Sequence, residues 1–417
     1  MAVAMTERIT ATYHIETSFD LWQAAEIMAG EQSVGTFVKV PGESPELWAR
    51  YGARVERLSE LATITEPSLP GAKYLPGKPI RRAEVVLSFP LATIGSSLPG
   101  LLTAISGNLY ELAPFSGLKL IDLELPDAFK VHPGPQFGVA GTRRLAGVYE
   151  RPLIGTIIKP SVGLSPAETA ALVGQLCEAG IDFIKDDELQ SDSPHSPFEV
   201  RLEAVLRVIA AHADKTGKQV MYAINITGET ETMLRRQELV VRRGGSCVMV
   251  NMLMVGLAAI QTLRKYSALP IHGHRAGWGA LSRHPVLGMG YLAYQKLARL
   301  AGVDHLHVNG LDNKFCETND SVIASAKACL TPILGGYTVM PVFSSGQTVR
   351  QAPATYAALG TTDLLYLAGG GLMAHPQGVA AGVRSLQEAW EAALAGVTLE
   401  RYAESHPALR GALEAFA

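Results

Sequence analysis

Four residues, Lys185-Asp186-Asp187-Glu188, close an apolar run, Ala179-Gly-Ile-Asp-Phe-Ile184. A strand that ends this way gathers one primary amine and several carboxylates at a single mouth. Hard cations such as Mg2+ bind crowds of oxygens of that kind. The lysine is the odd member, because an ammonium repels a dication. Reaction of the neutral amine with CO2 would remove the charge and leave a carbamate, an anionic oxygen ligand. The competing reading is a solvated strand end closed by its own salt bridge, a common way for a loop to begin.

Other residues with chemical potential fall at comparable points. Phe343-Ser344-Ser345-Gly346 and Ala368-Gly369-Gly370-Gly371 follow two apolar runs near the C-terminus. Glycines let backbone N–H groups approach a phosphate closely; plain turn chemistry is the alternative for either loop alone. Arg275 follows His274 and could clamp a phosphate or carboxylate bidentately, or pair with a neighbouring loop. His305 and His307 lie two apart and share a strand face. Lys314 sits in the loop Gly310-Leu-Asp-Asn-Lys-Phe315, where it could close over an anion or simply be solvated.

These residues need a scaffold, and the chain supplies a regular one. From 153 to 396, strand-like and helix-like patterns alternate. The strand-like runs are 153–160 (LIGTIIKP), 179–188, 219–227 (QVMYAINIT), 246–255, 269–277 (LPIHGHRAG), 304–310 (DHLHVNG), 338–346 (TVMPVFSSG) and 364–371 (LLYLAGGG). Helical segments are expected at 165–178, 196–217, 230–243, 257–267, 285–300, 321–330, 348–359 and 378–395. Ser165-Pro-Ala-Glu168 reads as a capping box with Pro at the first helical position, and Ser196-Pro-Phe-Glu199 as a second. Eight such pairs in about 245 residues have the count and length of an α/β (β/α)8 (TIM) barrel. A doubly wound open sheet is the alternative. Lys159, Lys185, Asp187, Glu188, Asn225, Asn251, His272, His274, Arg275, His305 and His307 all fall at the C-terminal strand ends, the functional face of such barrels.

Residues 1–135 lack that rhythm. Strands at 9–17, 82–89 and 118–125, with helices at 21–29 and 100–105, indicate a small α+β (ferredoxin-like) domain. It is joined through 134–151 to a barrel of 136–417 with a helical tail. The chain of 417 residues is 47% apolar and 18% charged, with net charge −3, which gives no electrostatic case for nucleic acid or an anionic membrane. No apolar run reaches membrane-spanning length, no signal peptide is visible, and four scattered cysteines suit a reducing cytoplasm.

Five motifs carry a resemblance: GTIIKPSVGLS at 155–165, AGIDFIKDDE at 179–188, HGHRAG at 272–277, DHLHVNG at 304–310 and GGGLMAHPQG at 369–378. With them the chain resembles the large subunit of ribulose-bisphosphate carboxylase, and more closely the RuBisCO-like proteins. The resemblance implies that Lys185 is carbamylated by CO2 and holds Mg2+ with Asp187 and Glu188. It implies that Lys159 handles protons and that His274, Arg275 and His307 contact the substrate or its phosphate. Lys314 matches the mobile-loop lysine that holds a carboxylate. Ser344, Gly346, Gly369 and Gly370 match phosphate and hydroxyl contacts. EQSVGT (31–36) and SGN (106–108) place Glu31, Thr36 and Asn108 where the family reaches into a neighbouring subunit's site. That implies a homodimer or higher homo-oligomer with shared active sites.

Four departures accompany the match. The family's second KPK lysine is Ser161 here, a histidine is Trp278, a tryptophan is Phe37, and the glycine after Ser344 is Ser345. Loss of a lysine and a histidine argues against ribulose-bisphosphate carboxylation while leaving enediolate chemistry in place. Among RuBisCO-like branches, the sulfur-salvage enolase (2,3-diketo-5-methylthiopentyl-1-phosphate) and isomerase (5-methylthioribulose-1-phosphate) place a lysine where this chain has Asn108. Retention of Lys314, Glu31 and Asn108 fits a reaction that handles a free carboxylate. The expectation is therefore a 3-oxo-isoapionate-4-phosphate transcarboxylase/hydrolase of apiose breakdown. A non-catalytic regulatory homologue is the contrasting class, and it should have lost the metal ligands.

Overall fold

A computed structural model describes residues 7–36 and 38–416; Phe37, one of the four departures, lies outside the described residues. The strands in chain order are β1 Arg8–Thr17, β2 Arg54–Ile64, β3 Ile80–Pro90, β4 Phe115–Glu124, β5 Leu153–Ile157, β6 Phe183–Lys185, β7 Met221–Asn225, β8 Cys247–Asn251, β9 Ile271–His274, β10 Leu287–Met289, β11 His305–His307, β12 Met340–Phe343 and β13 Leu365–Leu367. The chain divides into two compact units. One is Met1–His132 with Gly277–Leu300, and the other is Pro133–Ala276 with Ala301–Ala417.

The first unit is built on a five-stranded sheet in the order β10-β4-β1-β3-β2. β1 pairs antiparallel with both β3 and β4, β2 pairs antiparallel with β3, and β10 pairs parallel with β4. Alternate residues of β1 (Ile9, Ala11, Tyr13, Ile15) are buried, as half-buried antiparallel strands require. β2 and β10 were not expected. β2 is an edge strand with two register shifts, which break the period-2 signal. β10 lies where one helix was expected over 285–300; the helix begins only at Tyr291.

In the second unit eight parallel strands close in the order β11-β12-β13-β5-β6-β7-β8-β9, as expected for a (β/α)8 barrel. Leu153, Phe183, Met221, Ala223, Cys247, Met249, Met340, Val342, Leu365 and Leu367 fill its interior together with Ala146. Ala146 ends a helix, Gly138–Ala146, within the stretch expected only to join the two domains. Asp304 anchors that helix by accepting from the N–H groups of Phe137 (2.6 Å) and Gly138 (3.1 Å). Ser165 makes the expected capping box with Glu168 at the start of helix Pro166–Glu178. The second expected box does not form. Ser196 is buried and receives Arg201, while Asp192 accepts from the Phe198 N–H at 2.8 Å and starts the helix Phe198–Thr216. The strand expected over 246–255 ends at Asn251, and Gly256 (φ +77°) interrupts the helical segment that follows.

Candidate active site at the barrel mouth

Strand alternation sorts the Lys185–Glu188 segment. Phe183 faces the barrel core, so Lys185 and Asp187 share its face and Asp186 takes the other. Asp186 accordingly enters a buried structural network. It accepts from the Tyr222 hydroxyl, the Asn225 N–H (3.0 Å) and Arg201 (3.4 Å), and Arg201 is itself fully buried. Of the three carboxylates, only Asp187 and Glu188 remain with the lysines.

Lys159, two residues past the end of β5, donates from Nζ to Asp187 Oδ2 (2.6 Å) and to Ser161 Oγ (2.8 Å). Lys185 Nζ is fully buried and donates to the Asp186 carbonyl (2.7 Å) and Glu188 Oε2 (3.2 Å). Burial holds the Lys185 amine below its ordinary pKa, opposed by the charges of Glu188 and Asp187. Burial would raise the Glu188 carboxyl, but the Lys185 charge, the His274 ring and hydrogen bonds from its own N–H and from Lys185 together outweigh it and hold the group near 2. His274 Nε2 lies 3.5 Å from Glu188. Burial, then the Lys185 charge, push His274 down to about 3, which leaves its ring neutral at neutral pH. Asn225 and Asn251 donate to the Glu188 carbonyl (3.3 and 3.0 Å) and fix the main chain that carries the carboxylates.

Among the described residues, no three His, Cys, Asp or Glu side chains are grouped to hold a metal by themselves. Asp187 and Glu188 offer two hard carboxylates, and the third side chain at the same point is the buried Lys185. That donor set fits Mg2+ if the lysine becomes an oxygen ligand.

Behind this cluster runs a line of buried imidazoles. Thr142 Oγ1 meets His305 Nε2 (2.8 Å), His305 Nδ1 meets His272 Nδ1 (3.3 Å), His272 Nε2 meets His307 Nε2 (2.7 Å), and His307 Nδ1 meets Ser344 Oγ (2.9 Å). Burial lowers the pKa of all three rings, so each carries one N–H. The Thr142 hydroxyl gives its hydrogen to the Gly138 carbonyl and must accept from His305. Followed ring by ring, this makes Ser344 donate inward to His307 and turn its lone pairs to the mouth.

The other candidates fall in three groups. Gly369 brings its Cα within reach of Lys159: a Cβ there would meet Lys159 Cε at 3.5 Å, while one on Gly370 would meet nothing within 4 Å. Lys314 is exposed, with Nζ 5.3 Å from the centre of the Phe315 ring; its N–H donates to the Ser345 carbonyl (3.0 Å) and it lies beside Gly346. Ser345 holds φ at +73° and donates to Asn309 Oδ1 (2.8 Å). Arg275 is paired with the loop residue Glu317 at 2.6 Å, the alternative the sequence had left open. Glu31 and Asn108 belong to the first unit, where Asn108 Nδ2 donates to Glu31 Oε1 (3.4 Å), and Thr36 is exposed there. Trp278, also in the first unit, is buried against Tyr291 and Tyr294. Its ring therefore packs in the core of that unit. Sequence reasoning missed Thr142 and Glu317, since a threonine in a helix and an acid in a loop carry no signal of their own.

A parallel barrel whose mouth gathers two lysines, two carboxylates and a neutral histidine defines a class of enzymes that work on oxygen-rich anions. The catalytic domain of the ribulose bisphosphate carboxylase large chain matches residues 138–416, and its N-terminal domain matches residues 3–129. The chain belongs to that family and is an enzyme of its RuBisCO-like branch. It is 55% identical over 412 residues to the 3-oxo-isoapionate-4-phosphate transcarboxylase/hydrolase of Xanthobacter autotrophicus, covering 98% of this chain and 99% of the other. It is 46% identical to the 3-oxo-isoapionate-4-phosphate decarboxylase of Rhizobium rhizogenes, covering 98% of each. The crystal structure of a rubisco-like protein from Burkholderia fungorum superposes with a TM-score of 0.92 at 47% identity, over 98% of this chain and 99% of that one. The octameric carboxylase of Pyrococcus horikoshii, in complex with sulfate ion, follows at 0.88 and 32% identity, over 99% and 94%. No helix among the described residues is long and apolar enough to cross a membrane.

Proposed function

We propose that the chain acts on 3-oxo-isoapionate 4-phosphate in apiose breakdown as a transcarboxylase/hydrolase. The observation that carries this reading is the convergence of Lys159, Lys185, Asp187 and Glu188 at the ends of β5 and β6. The likeness to the Xanthobacter enzyme supports the substrate. Asp187, Glu188 and a carbamylated Lys185 would hold Mg2+. The ion would supply positive charge that stabilises an enediolate. The chain's own residues do the rest. Lys159, held between Asp187 and Ser161, can move a proton at its Nζ. His274, uncharged, can orient a substrate hydroxyl, and Ser344 presents an acceptor to another. The backbone at Ser344–Gly346 and Gly369–Gly370 is open to a phosphate, and Lys314 stands on the loop that would receive the migrating carboxylate. The likeness to an octameric relative supports a homo-oligomer of at least two subunits. In it, Glu31, Thr36 and Asn108 of one subunit would complete the site of another. A cytoplasmic location accords with the phosphorylated substrate.

The test uses purified protein with Mg2+ and bicarbonate, and substrate labelled with 13C in the carboxyl group. Transfer followed by hydrolysis retains the label in an acid fragment, the expected result. Release as CO2 would reassign the chain to the decarboxylase reaction of its Rhizobium relative. No turnover of this substrate, or carboxylation of ribulose bisphosphate at a comparable rate, would overturn the reading.

A further inference from the structure

An arginine at a barrel mouth is a natural receptor for a phosphate. In this chain the receptor at the end of β9 already has an anion. Arg275 Nη2 donates to Glu317 Oε2 at 2.6 Å, and the side chains are only 12% and 14% exposed. Glu317 is held from two further sides: Asn309 Nδ2 donates to the same oxygen (2.6 Å), and Ser321 Oγ donates to Oε1 (2.8 Å). Asn309 is in turn fixed by Ser345 Oγ at 2.8 Å. Three groups, from the β9 end, the β11 end and the helix Asn319–Leu330, thus converge on one carboxylate, with Ser345 at the β12 end steadying one of them.

We infer that Glu317 is an internal anion that occupies Arg275, so that the site takes substrates with one phosphate and rejects those with a phosphate at each end. This rests on the proposed function and deepens it by fixing the phosphate count. A sugar bisphosphate needs two cationic or N–H-rich receptors. One remains open at Gly370, where an added Cβ would meet nothing within 4 Å, beside Gly369 and the amine-bearing Lys159. At the other, an incoming dianion meets a carboxylate that shares the same guanidinium. It must either endure that repulsion or displace Glu317, stranding a mostly buried charge away from Arg275, Asn309 and Ser321. Repulsion of the wrong ligand is as effective a source of selectivity as attraction of the right one.

The experiment is calorimetric titration of the full-length protein, in Mg2+ and bicarbonate, with ribitol 5-phosphate and ribitol 1,5-bisphosphate. Neither polyol reacts, so the result is independent of which keto acid is turned over. Wild type is expected to bind the monophosphate at least as tightly as the bisphosphate. Glu317→Gln should tighten the bisphosphate by about 10–100-fold and leave the monophosphate within about threefold. Glu317→Asn gives a second neutral side chain should the first variant fold poorly. Arg275→Gln added to Glu317→Gln should abolish the gain. An unchanged bisphosphate affinity in both neutral variants, a gain that survives loss of Arg275, or a wild type that prefers the bisphosphate tenfold would each overturn the inference. If the expected pattern appears but 3-oxo-isoapionate 4-phosphate is not turned over, the phosphate count stands and the proposed reaction falls.

Discussion

Lys185→Met separates chemistry from folding. The lysine is fully buried at the end of β6, and its amine has two partners, the Asp186 carbonyl and Glu188. Methionine has similar length and removes the amine. The losses are one hydrogen bond to a carbonyl, about 1 kcal/mol, and one ion pair to a carboxylate whose side chain is 34% exposed, also about 1 kcal/mol or less. Against these stands relief from burying an ammonium, and the partner left behind, Glu188, is exposed enough to be solvated rather than stranded. The net change in unfolding free energy should lie within about 1.5 kcal/mol of zero. Activity should fall by at least about 10²–10³, the usual cost of losing one preorganised charged group.

The same residue gives a pH signature. Burial holds the amine below its ordinary 10.5, so in the window between the depressed value and 10.5 the unfolded chain binds more protons than the folded one. The contribution of Lys185 to stability therefore rises as pH rises through that window, the reverse of a lysine stabilised by a salt bridge. Carbamylation (R–NH2 + CO2 → R–NHCOO− + H+) needs the neutral amine. At fixed dissolved CO2 its extent should therefore climb with pH and saturate earlier than for a surface lysine. The assays are 13C NMR of protein equilibrated with labelled CO2, Mg2+-dependent turnover, and denaturant unfolding of both proteins. Full activity in the methionine variant or in EDTA, or a carbamate signal that survives the substitution, would refute the reasoning. A loss of stability of about 4 kcal/mol would show that the lysine is structural.

Asp186→Ala should cost about 3–5 kcal/mol of stability, because it strands the fully buried Arg201, whereas Asp187→Asn should spare stability and remove activity; denaturant melts and turnover on both variants decide. Glu31→Gln and Lys185→Met proteins, each inactive, should regain about 25% of wild-type activity when unfolded and refolded together, if two subunits share each site; no recovery would exclude sharing. Thr142→Val should cost about 1–3 kcal/mol by leaving the buried His305 N–H without an acceptor. Thr142→Ser should restore it, and 15N NMR of the imidazoles should show tautomers redistributed only in the valine variant.

The barrel was legible because its strands are buried on both faces and read as short apolar runs between turn residues. The Ser165 capping box was legible because it is local: all its partners lie within four residues. What escaped was non-local. The second capping signature failed because Ser196 is drawn to Arg201, so an identical local pattern lost to a tertiary partner. β2 escaped because its bulges break alternation. The Lys185–Glu188 cluster was visible, but the division of labour within it was not. Glu317 could not be singled out from a loop of polar residues until Arg275 was placed beside it.

That division follows a parity rule that extends around the barrel. Most residues that face the chemistry stand an even number of positions beyond a residue of the interior core, Glu188 and Gly370, both past the strand ends, being exceptions. Lys159 follows Leu153, Lys185 and Asp187 follow Phe183, Asn225 follows Met221 and Ala223, Asn251 follows Cys247 and Met249, Ser344 follows Met340 and Val342, and Gly369 follows Leu365 and Leu367. His274 and His307 keep step with His272 and His305, whose rings touch Phe183. Period-2 alternation carries the inward face of each strand past its last hydrogen bond and into the mouth. Odd positions behave differently: Asp186 joins Arg201 and Tyr222, Ser345 joins Asn309, and Arg275 joins Glu317. Parity therefore ranks the departures from the family pattern. Ser161, in step with Lys159 and bonded to it, changes the immediate surroundings of the proton-moving amine. Ser345, out of step and bonded to Asn309, changes the rim, where the Arg275–Glu317 pair stands and a second phosphate would have to sit. A change of amine chemistry at an even position and a change of anion acceptance at odd ones are separable, so ligand selectivity can shift without any exchange of metal-binding residues.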